Sequence, residues 1–231
     1  MLLQIPLGVV NVQPNASTVT WTEIQGISFN AGTGTTQTHS VTSTPTTGNV
    51  GIVAAYSGGI AQCTFTTVKD SNSNSYTISP NSPSGYLTGN GNFLLAYVLS
   101  EPSNATSSIT VTVSPSCNFG WFFEEFHRST GSATLDTDAA SLDTTHASPI
   151  NTPTLTPAQA KELLLACALG SASIQHPVAG VALGVWTGAA AGIATGAGCE
   201  FILGGTASAT AVNFQTGGGN VGWSAMEIAF K

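Results

Sequence analysis

Residues 118–126 read NFGWFFEEF, and residues 220–228 read NVGWSAMEI. Both follow Asn-x-Gly-Trp-x-x-x-Glu, so Asn118, Gly120, Trp121 and Glu125 are answered by Asn220, Gly222, Trp223 and Glu227. Two carboxylates held at fixed sites could serve as the acid and the nucleophile or base of a glycosidase, which needs them about 5–10 Å apart across a sugar. On strands, each Glu shares a face with its Trp two pleats away. A catalytic pair has no reason to respect an internal repeat, because its two members do different work. A duplicated scaffold does, because each copy needs the same hydrogen bonds, for instance to backbone amides of a neighbouring loop. The scaffold role is the expectation. Glu124 breaks the match with Met226 and lies on the opposite face from Glu125.

Other chemistry-bearing residues form weaker patterns. LDTDAASLDTTH at 135–146 gathers Asp136, Asp138, Asp143 and His146, oxygen ligands of the kind calcium prefers. It lacks the central Gly and terminal Glu of an EF-hand, and a solvated loop between two halves is expected. His39, His127, His146 and His176 show no paired spacing. Cys63, Cys117, Cys167 and Cys199 are widely spaced without CxxC, which argues against zinc or iron–sulfur ligation. Apolar surroundings favour buried free thiols, with a disulfide between any two left open. GxSxG, GxGxxG and P-loop signatures are missing. No catalytic, cofactor-binding or metal-binding residue is therefore assigned, and no cofactor is expected. Asn15-Ala-Ser and Asn104-Ala-Thr match the N-glycosylation acceptor pattern, of consequence only in a secretory pathway.

Composition narrows the partners. Charged residues make up 6% of the 231-residue chain, against roughly 25% in an average soluble protein. Four basic residues face eleven acids, for a net charge of −7. Nucleic-acid binding and docking to anionic membranes both need clustered Lys and Arg, and are excluded. A neutral surface rich in hydroxyls suits an extracellular protein or a subunit of a large assembly. The apolar start MLLQIPLGVV has no basic n-region and contains Pro6, so an extended segment is expected in preference to a signal peptide. The stretch 178–198 carries no charge and repeats Gly every fourth residue, but it is weakly hydrophobic and lacks aromatic or basic flanks. A glycine-rich rim or subunit contact fits it better than a membrane span.

The elements that must position these residues also come in pairs. TSTP at 42–45 is answered by TLTP at 154–157. GIVAAY (51–56) and LLLACAL (163–169) follow, then NFLLAYVL (92–99) and CEFIL (199–203), then SITVTV (108–113) and SATAVNF (208–214), and finally the two NxGW segments. SITVTV alternates with period two, as a half-buried strand does. Pro157 permits one short helical turn before LLLACAL. The fold expected is all-β: an antiparallel, jelly-roll-like β-sandwich with internal pseudo-duplication and at most one short helix. Residues 1–37 would supply an extended segment and edge strands, including 19–29. Residues 38–231 would form the sandwich from two pseudo-repeats, 38–128 and 150–231.

TLTPAQAKELLLACA, followed by an apolar strand, a turn and GWSAMEIAF, resembles the jelly-roll, concanavalin-like β-sandwich domains of phage virion proteins and bacterial surface proteins. The resemblance covers most of residues 40–231. It implies a structural or attachment module and supplies no active-site residues. The function expected is a non-enzymatic structural protein of a phage-like virion (capsid decoration, tail or fibre) or of an extracellular surface. Its partners would be other subunits, itself included as a homo-oligomer. The alternative is adhesion through glycan binding, with Trp21, Trp121, Trp186 or Trp223 stacking on sugars. The third possibility is a glycoside hydrolase or lyase using Glu125 and Glu227.

Overall fold

The computed structural model describes residues 19–58, 63–82, 92–143, 150–170, 174–177, 196–205, 207–208, 211, 213–216 and 223–231. Thirteen strands are found among them and no helix: β1 Trp21–Ser40, β2 Val50–Gly58, β3 Thr64–Asp70, β4 Thr77–Ile78, β5 Phe93–Val98, β6 Ser108–Arg128, β7 Leu135–Asp143, β8 Ile150–Asn151, β9 Glu162–Gly170, β10 Ile174–Pro177, β11 Gly196–Gly205, β12 Asn213–Thr216 and β13 Trp223–Phe230. All pairings are antiparallel.

Two sheets form the middle of the molecule. One has the order β1–β6–β2–β5–β4, the other β7–β13–β9–β11. Their facing sides share one apolar core, in which Phe126 meets Phe201 edge-on at 5.0 Å and Tyr97 meets Phe230 at 5.4 Å. β1 lies against β11 on one flank. On the other, Asp138 of β7 accepts hydrogen bonds from Ser79 and Asn81 just after β4.

Each middle sheet is also covered on its outer side. β1 and β6 are long enough to leave the middle sheet: Thr36–Ser40 pairs with Ser108–Thr112, and β3 continues the pairing beyond β6. Register shifts at Phe29/Gly32 and Gly34/Thr36 mark the bend. The bent-over part sets Ile109, Val111, Val113 and Val68 on Val53, Ala55, Trp121 and Phe123. In the second half the strands β10–β12–β8 form a separate sheet, placing Ile150 and Phe214 on Ala166, Ala168, Trp223 and Ala225. Burial on both faces explains why β9 and β13 are apolar at nearly every position and buried at all of them.

The two halves are built alike. The middle order β1–β6–β2–β5 matches β7–β13–β9–β11, and the outer order β1–β6–β3 matches β8–β12–β10. The chain alternates between middle and outer sheets so that first and last strands become neighbours, which is jelly-roll connectivity.

Two expectations are corrected, those for residues 135–143 and for the cysteines, while the expectation of at most one short helix is met among the described residues. Residues 135–143 are strand β7 and not a solvated loop, because β13 needs a second partner and Leu135 packs on the shared core. The residues after Pro157 form bends, and β9 begins at Glu162 without a helical turn. The cysteines are not free thiols: Cys63 is bonded to Cys117 and Cys167 to Cys199. Cys167 and Cys199 are register partners on β9 and β11, with Cα atoms 4.1 Å apart. Spacing along the chain could not reveal that register.

The crosslinks close loops of 54 and 32 residues. Each is expected to contribute about 4 kcal/mol by restricting the unfolded chain. Urea unfolding with and without reductant checks this; an unchanged midpoint after full reduction would contradict it.

Candidate functional site at the repeated Trp–Glu positions

The repeated motif occupies β6 and β13, the second strand of each middle sheet. Phe122 and Phe126 point into the shared core, so Trp121 and Glu125, of opposite parity, point outward. Likewise Met226, Ile228 and Phe230 face the shared core, while Trp223 and Glu227 face the other way. The two glutamates therefore lie on opposite outer faces, with both middle sheets between them. Sheets stack about 10 Å apart before either side chain is extended. Both residues are fully buried. No sugar cleft joins them, so the paired-carboxylate reading is overturned for these two residues.

Each glutamate ties down the loop that leads into the next middle strand. Glu125 accepts from Gln25 Nε2 at 2.5 Å, the Thr46 amide at 2.7 Å and Asn49 Nδ2 at 2.6 Å. Gln25 in turn receives the Ser43 amide and donates to the Ser43 carbonyl, and Asn49 Oδ1 meets His127 Nδ1. The TSTP loop is thus fixed from 43 to 49 around one buried carboxylate. In the second half Thr152 Oγ1 donates to Glu227 Oε2 at 3.0 Å, while Oε1 has no donor among the described residues. The difference is legible in the register: Glu125 lies between Gln25 and Gly51, whereas Glu227 lies between Ala139 and Ala166. Without the counterpart of Gln25, burial pushes the Glu227 carboxyl up to about 7, despite the Thr152 bond.

Gly120 of the motif has a steric cause. A Cβ there would collide with the Tyr56 hydroxyl and the Phe29 carbonyl oxygen, which are hydrogen-bonded to each other across the strand. Asn220 and Gly222 lie outside the described residues.

Spacing alone missed two further buried acids. Glu101 packs over Gly51, accepts from Tyr76 Oη at 2.8 Å, and is pushed up to about 7, chiefly by burial and further by Glu125 and Asp70. Glu200 is the register partner of Ala166 on the side opposite Glu227, and burial pushes it up to about 7. Seven of the eleven acids are buried: Asp70, Glu101, Glu124, Glu125, Glu162, Glu200 and Glu227. Glu124 takes the place of Met226 in the shared core, above Gly26, where a Cβ would meet its carboxylate. The only sequence signal for these sites is the small residue opposite, Gly51, Ala166 or Gly26.

The remaining candidates are scattered. Asp136 pairs with Lys231, and Asp138 with Ser79 and Asn81 across the molecule; the Asp143 side chain and His146 lie outside the described residues. No group of three metal-ligating side chains occurs among the described residues. His39 stacks on Phe29 at 4.5 Å, and the side chain of His176 is outside the described residues. Trp21, Trp121 and Trp223 are buried, so none offers a ring face to a sugar; Trp186 and most of the 178–198 stretch are outside the described residues. Asn104 sits in an exposed turn, and Asn15 is outside. No described helix is long and apolar enough to cross a membrane.

No family model matches the chain, and no curated protein does. One solved structure, titled "Crystal Structure of the STIV MCP", aligns over 92% of this chain and 96% of its own at 9% identity, with a TM-score of 0.25. A superposition that loose defines neither a family nor a shared fold.

One prediction separates the twin glutamates. Glu125→Ala strands three donors and is expected to cost about 3 kcal/mol or more, whereas Glu227→Gln imitates the protonated acid and is expected to cost under about 1 kcal/mol at pH 7.5. Denaturant titration of both variants decides; equal losses would refute the distinction.

The second concerns pH. Glu101, Glu200 and Glu227 hold protons in the folded state that the unfolded chain releases near pH 4.5. Their stabilisation is complete below that pH and is lost as pH rises toward 7. The melting temperature is expected to be higher at pH 4.5 than at 7.5 by roughly 5 °C or more, at about 2–4 °C per kcal/mol for a chain this size. A melting temperature that rises over that interval would contradict the assignment.

Proposed function

We propose that this protein is a non-enzymatic structural subunit of a virion or extracellular surface that works by packing against further copies or other subunits. The observation that carries the proposal concerns the edges of the middle sheets. The large apolar residues exposed among the described ones are Ile24, Ile78, Leu142 and Leu203. They lie on β1, β4, β7 and β11, the four edge strands of the two middle sheets. A monomeric β-protein normally guards such edges with Lys, Pro or other charge. Here each edge strand carries an exposed apolar side chain and no Lys, Arg or Pro, and acids accompany it on β1 (Glu23) and β7 (Asp136, Asp138 and Asp143).

The buried acids support the same reading. The candidate carboxylates are committed to holding loops and filling the interior. Two disulfides fit an oxidising location such as a particle exterior. The glycan-binding alternative is left with Trp186, since the three other tryptophans are inside.

Multi-angle light scattering and electron microscopy of the purified protein test the proposal. Ordered oligomers are expected, and Ile24→Lys combined with Leu142→Lys should raise the concentration needed for assembly at least tenfold. A strict monomer under all concentrations and pH values, with no partner recovered on particles, would sink it.

A further inference from the structure

Lys231, Asp136 and Glu162 come together on the outer face of the second middle sheet. They lie on or just beyond three adjacent strands: Asp136 on β7, Lys231 immediately after β13, and Glu162 opening β9. Lys231 pairs its backbone with Thr134 in both directions, which sets Asp136 one diagonal step away. Lys231 Nζ is 2.7 Å from Asp136 Oδ1. Asp136 Oδ2 receives the Ala158 amide at 2.7 Å, so the carboxyl is gripped from both sides. Glu162 is fully buried; its Oε1 receives the Gln159 amide at 2.9 Å, and its Oε2 has no N–H donor. Consecutive backbone amides, those of Ala158 and Gln159, hold the Asp136 and Glu162 carboxyls on the same side of the sheet, and burial raises the Glu162 carboxyl so that it favours its protonated form.

Two features mark the cluster as more than scaffold. First, the duplication does not require it. Ser129 pairs with Thr20 as Lys231 pairs with Thr134, so the first half's equivalents of Lys231 and Asp136 are Ser129 and Thr22. Glu125 opposite Gly51 matches Glu227 opposite Ala166, which makes Thr47 the equivalent of Glu162. The first half folds with three hydroxyls where the second has an amine and two acids. Second, Lys161, next to Glu162, has φ of 69°, a left-handed conformation that a side-chain-bearing residue rarely holds without cause.

We propose that Lys231 and Asp136 join through an intramolecular amide (isopeptide) bond, with Glu162 as the group that moves the protons. Attack needs the pair in its neutral form, reached when a proton passes from Nζ to the Asp136 carboxyl against the mutual attraction that lowers the Asp136 carboxyl and raises the Lys231 amine. Protonated Glu162 donates a hydrogen bond to Asp136 and polarises its carbonyl. The Nζ lone pair attacks Asp136 Cγ, forming the C–N bond. Glu162 then gives its proton to the departing hydroxyl and recovers one from Nζ. The C–O bond breaks, one water leaves, and no oxidant or reductant takes part. The side chain of Lys231 is 38% exposed and that of Asp136 5% exposed, so water has a path out while the electrophilic carbon stays shielded. The bond would link the first and last strands of the second half, 95 residues apart. A load applied across that half would then meet a covalent stop, which suits a subunit built for assembly but does not depend on that function.

Intact-mass measurement of the full chain, incubated after purification, tests the proposal. The expected mass is one water below that of the disulfide-bonded sequence, with a branched Lys231–Asp136 peptide after digestion. Lys231→Arg keeps the ion pair and Glu162→Gln keeps the shape; both should melt cooperatively with the water retained. The full mass in the wild type would overturn the proposal, as would a water loss that persists in Lys231→Arg, since that loss would be cyclisation of an aspartate elsewhere.

Discussion

The shared core between the two middle sheets is the constraint on which the rest of the structure depends. A strand whose neighbours on both sides are in the same sheet, and whose faces both meet other layers, has no position left for a charge in water. β2, β9 and β13 are in that situation, and their sequences are almost continuously apolar as a result. Phe122, Phe126, Leu165, Met226, Ile228 and Phe230 fill the shared side, while Trp121 and Trp223 fill the outer ones. Burying about 25 cal/mol of free energy per Å2 of apolar surface on both sides of each middle sheet is what the duplication accomplishes.

That same constraint gives the acids their character. With four basic residues in the chain, a buried carboxyl can rely on amide and hydroxyl donors, or else keep its proton. Glu125 takes the first course, gripping the loop before β2 with three donors. Glu227 takes the second, because Ala139 stands where Gln25 would be and a single hydroxyl reaches it. One scaffold position, copied, thus supports two different electrostatic solutions. The copies have diverged in chemistry while keeping their place in the fold.

Much of this architecture was legible in the chain. The paired TxTP and NxGW motifs and the apolar runs between them announced two sets of strands, and the two middle sheets have like strand orders, β1–β6–β2–β5 and β7–β13–β9–β11. The scaffold role expected for Glu125 appears as a hydrogen bond from the Thr46 amide. Other features were hidden for physical reasons. β7 reads as polar and acidic because it is an edge strand, so LDTDAASLD looks like a loop. β3, with Thr64, Thr66 and Thr67 exposed, is half exposed and lacks an apolar run. The disulfides depend on register across strands, and the buried Glu101 and Glu200 on a small residue in the neighbouring strand. None of these is a local property of sequence.

Native-state hydrogen exchange over a series of urea concentrations tests the shared core most directly. If the two halves hold each other's apolar faces, the amides of β2 and β6 and those of β9 and β13 will exchange through one common opening, with the same free energy and the same urea dependence. Two separate openings, with one half's strands exchanging while the other's remain protected, would show two self-sufficient sandwiches and contradict the account.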